Sequence, residues 1–232
     1  LHLIGGKLYF TAEANRLIAR YDPAANKIDW MMGTGQNGSH MVVGTADQKK
    51  FYTANIGSDT VSAIELPPLV APQRPITHIP VGKQPEAIDL SPDGKEVWIG
   101  LNAEGMAEVV DVVGYKSAAK INIGGRPYRV KFTPDGKLIK SWGESGTDPG
   151  QFNLVHNVVT DEDGWVYVAD RENHRVQVFD GNGKYETEWN NLHRPCALCR
   201  CGGKQATFII GELGPGLAVN RKVPNLGPRL SI

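Results

Sequence analysis

The chain has 232 residues and carries 25 lysines and arginines against 25 aspartates and glutamates, so its formal net charge is zero. A chain without net charge has no field that would recommend nucleic acid or an anionic membrane as partner. It also has no apolar run of the roughly 18 residues a membrane span needs. This length fits one domain. The chain begins with leucine and shows no charged-then-apolar leader, which reads as a processed or trimmed sequence. Its three cysteines all fall within Cys196-Ala197-Leu198-Cys199-Arg200-Cys201, too close together for a disulfide framework.

Taken in order, residues 7–12, 17–21 and 28–32 read as three strands preceded by a poor first one, joined by Glu13-Ala14-Asn15 and Asp22-Pro23-Ala24-Ala25-Asn26. The glycine-containing loop 33–39 delivers His40 to a strand at 40–44, followed by strands at 51–54, 60–66 and 76–81. The proline-rich insertion 67–75 is expected as a surface loop, because proline cannot donate to a strand ladder. A regular third repeat runs over 86–123 around the turn Ser91-Pro92-Asp93-Gly94-Lys95, where glycine after aspartate supplies the positive φ of a tight turn. The fourth repeat is short, with strands expected at 129–133 and 138–142 and a loop at 143–150. The fifth is the clearest: 157–189 reads as four strands divided by Asp161-Glu162-Asp163-Gly164 and Asp180-Gly181-Asn182-Gly183. A sixth starts at Pro195-Cys196, passes through 207–213 and a Gly/Pro/Asn-rich loop, and ends at Arg229-Leu230-Ser231-Ile232.

Each unit is too small to bury its own faces and so implies neighbours of its kind. The repeats start near His40, Glu86, Tyr128, His156 and Cys196, 28 to 46 residues apart, and such periods belong to β-propellers. The predicted fold is therefore an all-β propeller of about six blades, five being possible, with one irregular blade around 126–152. Pairing of the last strands with the first is expected, since open edges invite aggregation.

His40 and His156 both begin an inner strand after a glycine-containing loop, where side chains line a propeller's central channel. Neutral imidazoles suit zinc, and a catalytic zinc takes about three protein ligands and an open position. His193, beside the entry to the next blade, is the candidate for a third ligand. Structural readings stand beside these: hydrogen-bonded channel histidines for His40 and His156, a salt bridge to Asp170 or Glu172 for Arg171, and a turn-orienting role for His174. Cys196 and Cys199 have C-x-x-C spacing, but a strand turns residues three apart to opposite faces; Cys199 and Cys201 share a face, expected to be buried in the blade stack. The glycine-rich loop 143–150 joins no strand to a helix, which excludes a phosphate cradle. Trp30, Trp98, Trp142, Trp165 and Trp189 are expected to pack between blades.

Some of these segments carry a family resemblance. Gly82-Lys83-Gln84-Pro85-Glu86-Ala87-Ile88-Asp89-Leu90-Ser91-Pro92-Asp93-Gly94 and Ile123-Gly124-Gly125-Arg126-Pro127-Tyr128 resemble YVTN-type propeller repeats, covering 1–136. From Lys137 onward the chain is similar to NHL repeats, and Val168-Ala169-Asp170-Arg171-Glu172-Asn173 resembles the version found in peptidyl-α-hydroxyglycine α-amidating lyases. The resemblance implies a channel zinc held by strand-start histidines, which His156 matches by motif and His40 by position, and an active-site role for Arg171. The family's catalytic tyrosine motif has no counterpart here, the equivalent turns reading Ala54-Asn55-Ile56-Gly57 and Gly100-Leu101-Asn102-Ala103. Expected functions are thus a zinc-dependent lyase on a small substrate, a non-enzymatic scaffold for a protein or peptide, or a gluconolactonase-like hydrolase holding calcium through carboxylates and asparagines. The expected ligand is a small molecule or peptide at the channel mouth, with no nucleic acid, no membrane span and a monomeric state. The resemblance implies a secreted or periplasmic location.

Overall fold

The computed structural model describes residues 2–66, 75–123, 125–132, 142–201, 207–216 and 227–232. The chain is an all-β propeller of about five blades, in two compact units, Leu1–Lys137 and Leu138–Ile232. The first unit holds three four-stranded blades. The first blade comprises β1 (His2–Ile4), β2 (Lys7–Ala12), β3 (Leu17–Asp22) and β4 (Lys27–Gly33). The second comprises β5 (Ser39–Gly44), β6 (Lys50–Asn55), β7 (Thr60–Glu65) and β8 (Ile76–Pro80). The third comprises β9 (Pro85–Leu90), β10 (Glu96–Leu101), β11 (Met106–Asp111) and β12 (Lys116–Asn122).

In the second unit, β13 (Glu144–Ser145) and β14 (Gln151–Phe152) form a two-residue parallel bridge ahead of the fourth blade. That blade comprises β15 (Val155–Thr160), β16 (Val166–Asp170), β17 (Arg175–Phe179) and β18 (Tyr185–Trp189). The fifth blade is three-stranded: β19 (Pro195–Cys201), β20 (Thr207–Glu212) and β21 (Arg229–Ser231). Each of the five sheets is antiparallel throughout, with its strands in sequence order.

The second blade shows why its sequence is apolar at consecutive positions. A strand turns successive side chains to opposite faces. Val42, Phe51 and Ile64 accordingly join Tyr9 and Ile18 of the first blade, while Val43, Tyr52, Ala54, Val61 and Ala63 join Ile88, Val97, Ile99 and Leu101 of the third. In the second unit the equivalent layer is Ala169 and Val176 against Leu192, Leu198 and Ile210. Outer strands meet solvent, and every residue of β12 is exposed.

Several expectations change. Within their own sheets β1 pairs with β2 and β21 with β20. No strand forms over the described part of 129–133; instead Phe132 packs edge-on against Trp98 and its amide donates to the side chain of Asp89. Upstream, Gly100 lets the Pro127 backbone approach β10, since a Cβ there would lie 2.3 Å from the carbonyl oxygen of Pro127. Cys199 is exposed rather than buried, because Leu198 takes the core side of β19. Trp142 and Trp165 are more than a third exposed, Trp165 standing just outside β16. The insertion at 67–74, the turn and strand at 133–141 and the loop at 217–226 lie outside the described residues.

The fourth blade is held by a polar core. Asp170, fully buried, accepts from the Asn153 amide at 2.7 Å, Asn173 Nδ2 at 2.8 Å, Arg175 Nε at 2.9 Å and Gln177 Nε2 at 3.1 Å. Arg175 spends its other nitrogens on Glu188 and on the carbonyls of Asp148 and Gln151, all at 2.9 Å. The loop entering β15 is thereby fastened to the middle of the blade. Arg175→Met, which leaves the Asp170 charge buried without its cation, is expected to destabilise the protein by about 3–5 kcal/mol in denaturant unfolding. A loss below about 1 kcal/mol would contradict this account.

Candidate functional site at the first-strand entries

One backbone device recurs at the entry to four blades. The residue before each first strand is left-handed: Gly38 (φ 67°), Gln84 (φ 54°), Leu154 (φ 68°) and Arg194 (φ 57°). The turn after the second strand donates back to this entry, through Ile56 N to Gly38 O, Asn102 N to Gln84 O, Arg171 N to Leu154 O and Leu213 N to Arg194 O. Two residues beyond the left-handed position the ladder slips by one residue, and the positions there are His40, Glu86, His156 and Cys196. Bulges of this kind re-aim a side chain at a strand end. The sequence reasoning proposed the two histidines as site residues, marked Glu86 and Cys196 as repeat starts, and set aside a metal role for Cys196. The signal was present, because all four stand at the starts of aligned repeats.

Within the first unit, His40 Nδ1 lies 3.2 Å from Glu13 Oε2 and its Nε2 lies 3.6 Å from Glu86 Oε1. Asn102 Nδ2 donates to the other oxygen of Glu86. The asparagines that end or follow second strands are thus engaged internally; Asn55 likewise accepts from Ser39 and donates to Thr60 and Ser62.

Within the second unit, His156 Nδ1 is 2.8 Å from the carbonyl oxygen of Cys196. A carbonyl only accepts, so Nδ1 carries the proton and, in the neutral ring, Nε2 carries the lone pair. Arg171 and Glu172 lie in a 3₁₀ turn, Arg171–Asn173, stitched to the β15 entry through Arg171 N to Leu154 O and Glu172 N to Asn153 O. The Glu172 carboxylate sits between two guanidiniums: Arg171 Nε donates at 2.8 Å, and Arg194 donates through Nε at 3.0 Å and NH2 at 2.8 Å. Burial pushes the Glu172 carboxyl upward, but Arg194 and Arg171 outweigh it and hold the group below its ordinary value. His193 stands next to Arg194 in this loop, with its ring 6.4 Å from that of His174, edge to face. The His193 amide donates to Glu212, whose carboxylate also takes Arg229 and Ser231.

The salt bridge considered for Arg171 is thus made to Glu172 and extended by Arg194, a residue the sequence reasoning did not single out. Among the described residues no group of three or more His, Cys, Asp or Glu side chains is arranged to hold a metal ion. His156 has the tautomer and the orienting carbonyl of a zinc ligand; no set of three donors accompanies it among the described residues.

The ion cluster has a pH signature. A carboxyl held below its ordinary 4.5 stabilises the fold fully above that pH and loses its contribution as pH falls through the lower folded value. Glu172→Gln is therefore expected to be less stable than the parent by a constant margin at neutral pH, with the margin closing on acidification below about pH 4.5. Denaturant midpoints from pH 7 to pH 3 measure it, and a margin that widens on acidification would contradict it.

Residues 152–179 match the model of the NHL repeat. NHL repeat-containing protein 3 of Homo sapiens is 44% identical over 63 residues, 27% of this chain and 18% of its own length. The peptidyl-glycine alpha-amidating monooxygenase of Mus musculus is 42% identical over 60 residues, 24% of this chain and 6% of that protein. The chain thus spans less than a fifth of either relative. A functionally unknown protein from Desulfotomaculum acetoxidans DSM 771 superposes with a TM-score of 0.64 at 12% identity, over 88% of this chain and 73% of its own, a likeness of fold alone.

Proposed function

We propose that this chain, a β-propeller carrying an NHL repeat, binds a peptide-like ligand at the strand-entry end of its second unit. The observation that carries the reading is a comparison of equivalent positions. Where the fourth and fifth blades place Arg171, Glu172 and Arg194, the second blade builds the same backbone with Ile56, Gly57 and Gly38. The fold does not require the charges, and arginine in a left-handed conformation is less favourable than glycine. Charged groups gathered at strand-entry loops, on a rigid blade, suit recognition.

A second reading is favoured by the local identity to the amidating monooxygenase, 42% over 60 residues, and by the NHL repeat match at 152–179, the segment containing His156 and Arg171. In this reading His156 is a zinc ligand, His193 is a further candidate within the same unit, and Arg171 touches substrate. Zinc, when bound, would act as a Lewis acid for lyase chemistry. The chain's own contribution is to fix the His156 tautomer through the Cys196 carbonyl and to hold the Arg171 guanidinium by its Nε. Calcium held by carboxylates and asparagines, the hydrolase alternative, has less support, because Asn55, Asn102 and Asp170 are committed to internal hydrogen bonds.

Two measurements separate these readings. A library of N-terminally blocked hexapeptides is expected to yield binders to the purified chain, and Arg194→Gln is expected to weaken them at least tenfold; a library without binders removes the first reading. Elemental analysis of the chain and of His156→Ala tests the second. One zinc per chain, lost in the variant, supports it, and no metal in either sample removes it.

A further inference from the structure

The first unit gathers acceptors at its strand entries. Turns that follow second strands supply Glu13, after β2, and Asn102, after β10, while the bulges that open β5 and β9 supply His40 and Glu86. The His40 ring lies between the two carboxylates, 3.2 Å from Glu13 through Nδ1 and 3.6 Å from Glu86 through Nε2. The bond from Asn102 to Glu86 fixes the asparagine amide: an ionised carboxylate only accepts, so Nδ2 faces Glu86 and Oδ1, on the same carbon, stands beside the pair. Among the described residues that Oδ1 meets no donor, although Asn102 is only 7% exposed. Buried polar atoms are nearly always hydrogen-bonded, and an exception calls for an account. The fold does not require a polar side chain there, since the turns of the second and fifth blades place Ile56 and Leu213 at the equivalent position. The side chains of Glu86, His40 and Glu13 are 14%, 28% and 55% exposed, so the group opens to solvent on the Glu13 side.

We infer that Glu86, Asn102 and Glu13 form a recognition site for the protonated primary amine of a small ligand. The inference is independent of the peptide-binding reading, which concerns the second unit. An ammonium brings three donors and no acceptor, so one nitrogen serves Asn102 Oδ1 and a carboxylate together, and its charge strengthens each bond. It is also compact, which suits a site where the entering group passes Glu13 and His40 before it meets the covered amide. A guanidinium is a planar fork that pairs best with both oxygens of one carboxylate, and Oε2 of Glu86 is already engaged by Asn102. A metal ion fits less well, because among the described residues no three His, Cys, Asp or Glu side chains are arranged to hold one.

The test uses the full chain, isotope-labelled for amide NMR, with butylammonium as the probe, titrated to about 50 mM to reach the weak affinities of such small ligands. The expected result is a saturable shift of the Asn102 side-chain amide resonances. Butan-1-ol, which lacks the charge, and butyltrimethylammonium, which lacks the N–H donors, are expected to bind at least about tenfold more weakly. Glu86→Gln and Glu13→Gln, the second at an exposed position, are each expected to weaken butylammonium while leaving the spectrum of the fold in place. Equal binding of butylammonium and butyltrimethylammonium overturns the proposal, because charge alone then accounts for the attraction. Tighter binding by butylguanidinium overturns the choice of ammonium, and calcium or zinc that displaces the probe from the same resonances overturns it in favour of a metal. No saturable shift at Asn102, or folded variants that bind like the parent, removes the site altogether. The comparison among probes is made on the unmodified chain, so a variant that misfolds does not obscure it.

Discussion

A fully buried carboxylate governs the second unit. Asp170 ends β16 in the middle of a sheet, where an unpaired charge costs several kcal/mol, and it is retained because four donors converge on it. Two of those donors, Arg175 and Gln177, come from the neighbouring strand. The other two belong to the β15 entry and to the 3₁₀ turn. One carboxylate therefore ties the β15 entry, 17 residues upstream, to the turn and strand that directly follow β16. The left-handed Leu154 depends on this, since a branched side chain at φ 68° persists only when its surroundings over-determine it. The positions of His156 and Arg171 follow from the same constraint.

Repetition of the entry device separates what the fold needs from what a site adds. The left-handed residue, the back-donated amide and the slipped register recur, while the side chains they present differ in chemistry from blade to blade. In the second blade two glycines and an isoleucine suffice. At the junction of fourth and fifth blades the same scaffold carries Arg171, Glu172 and Arg194. Stability gives little reason to keep them. Exposed ion pairs contribute between zero and about 1 kcal/mol, and partly buried ones must first offset desolvation.

The strands were legible in the sequence to within a residue or two where alternation was strong, as at 7–12, 51–54, 176–179 and 185–189, and the Asp-Gly turns marked their ends. Two kinds of feature were not. The entry bulges carry no glycine signal, because Gln84, Leu154 and Arg194 occupy left-handed positions that composition assigns to glycine. The polar core was hidden for a different reason. Arg175 and Gln177 alternate with Val176 and Val178, a pattern that reads as a strand with one solvated face, yet every residue of β17 is buried. Only the loop at 146–153, folded over that face and offering carbonyls to Arg175 and Gln177, makes those side chains interior.

The same logic bears on the histidines. His40 and His156 occupy equivalent bulges, yet their surroundings assign them different chemistry. His40 has a carboxylate near each ring nitrogen, Glu13 at 3.2 Å from Nδ1 and Glu86 at 3.6 Å from Nε2. His156 Nδ1 faces the neutral carbonyl of Cys196, which fixes the tautomer of the neutral ring. The motif that made both residues candidates is thus a property of the backbone. The chemistry available at each bulge is decided by the residue that the adjacent blade sets against it: a carboxylate beside His40, a peptide carbonyl beside His156.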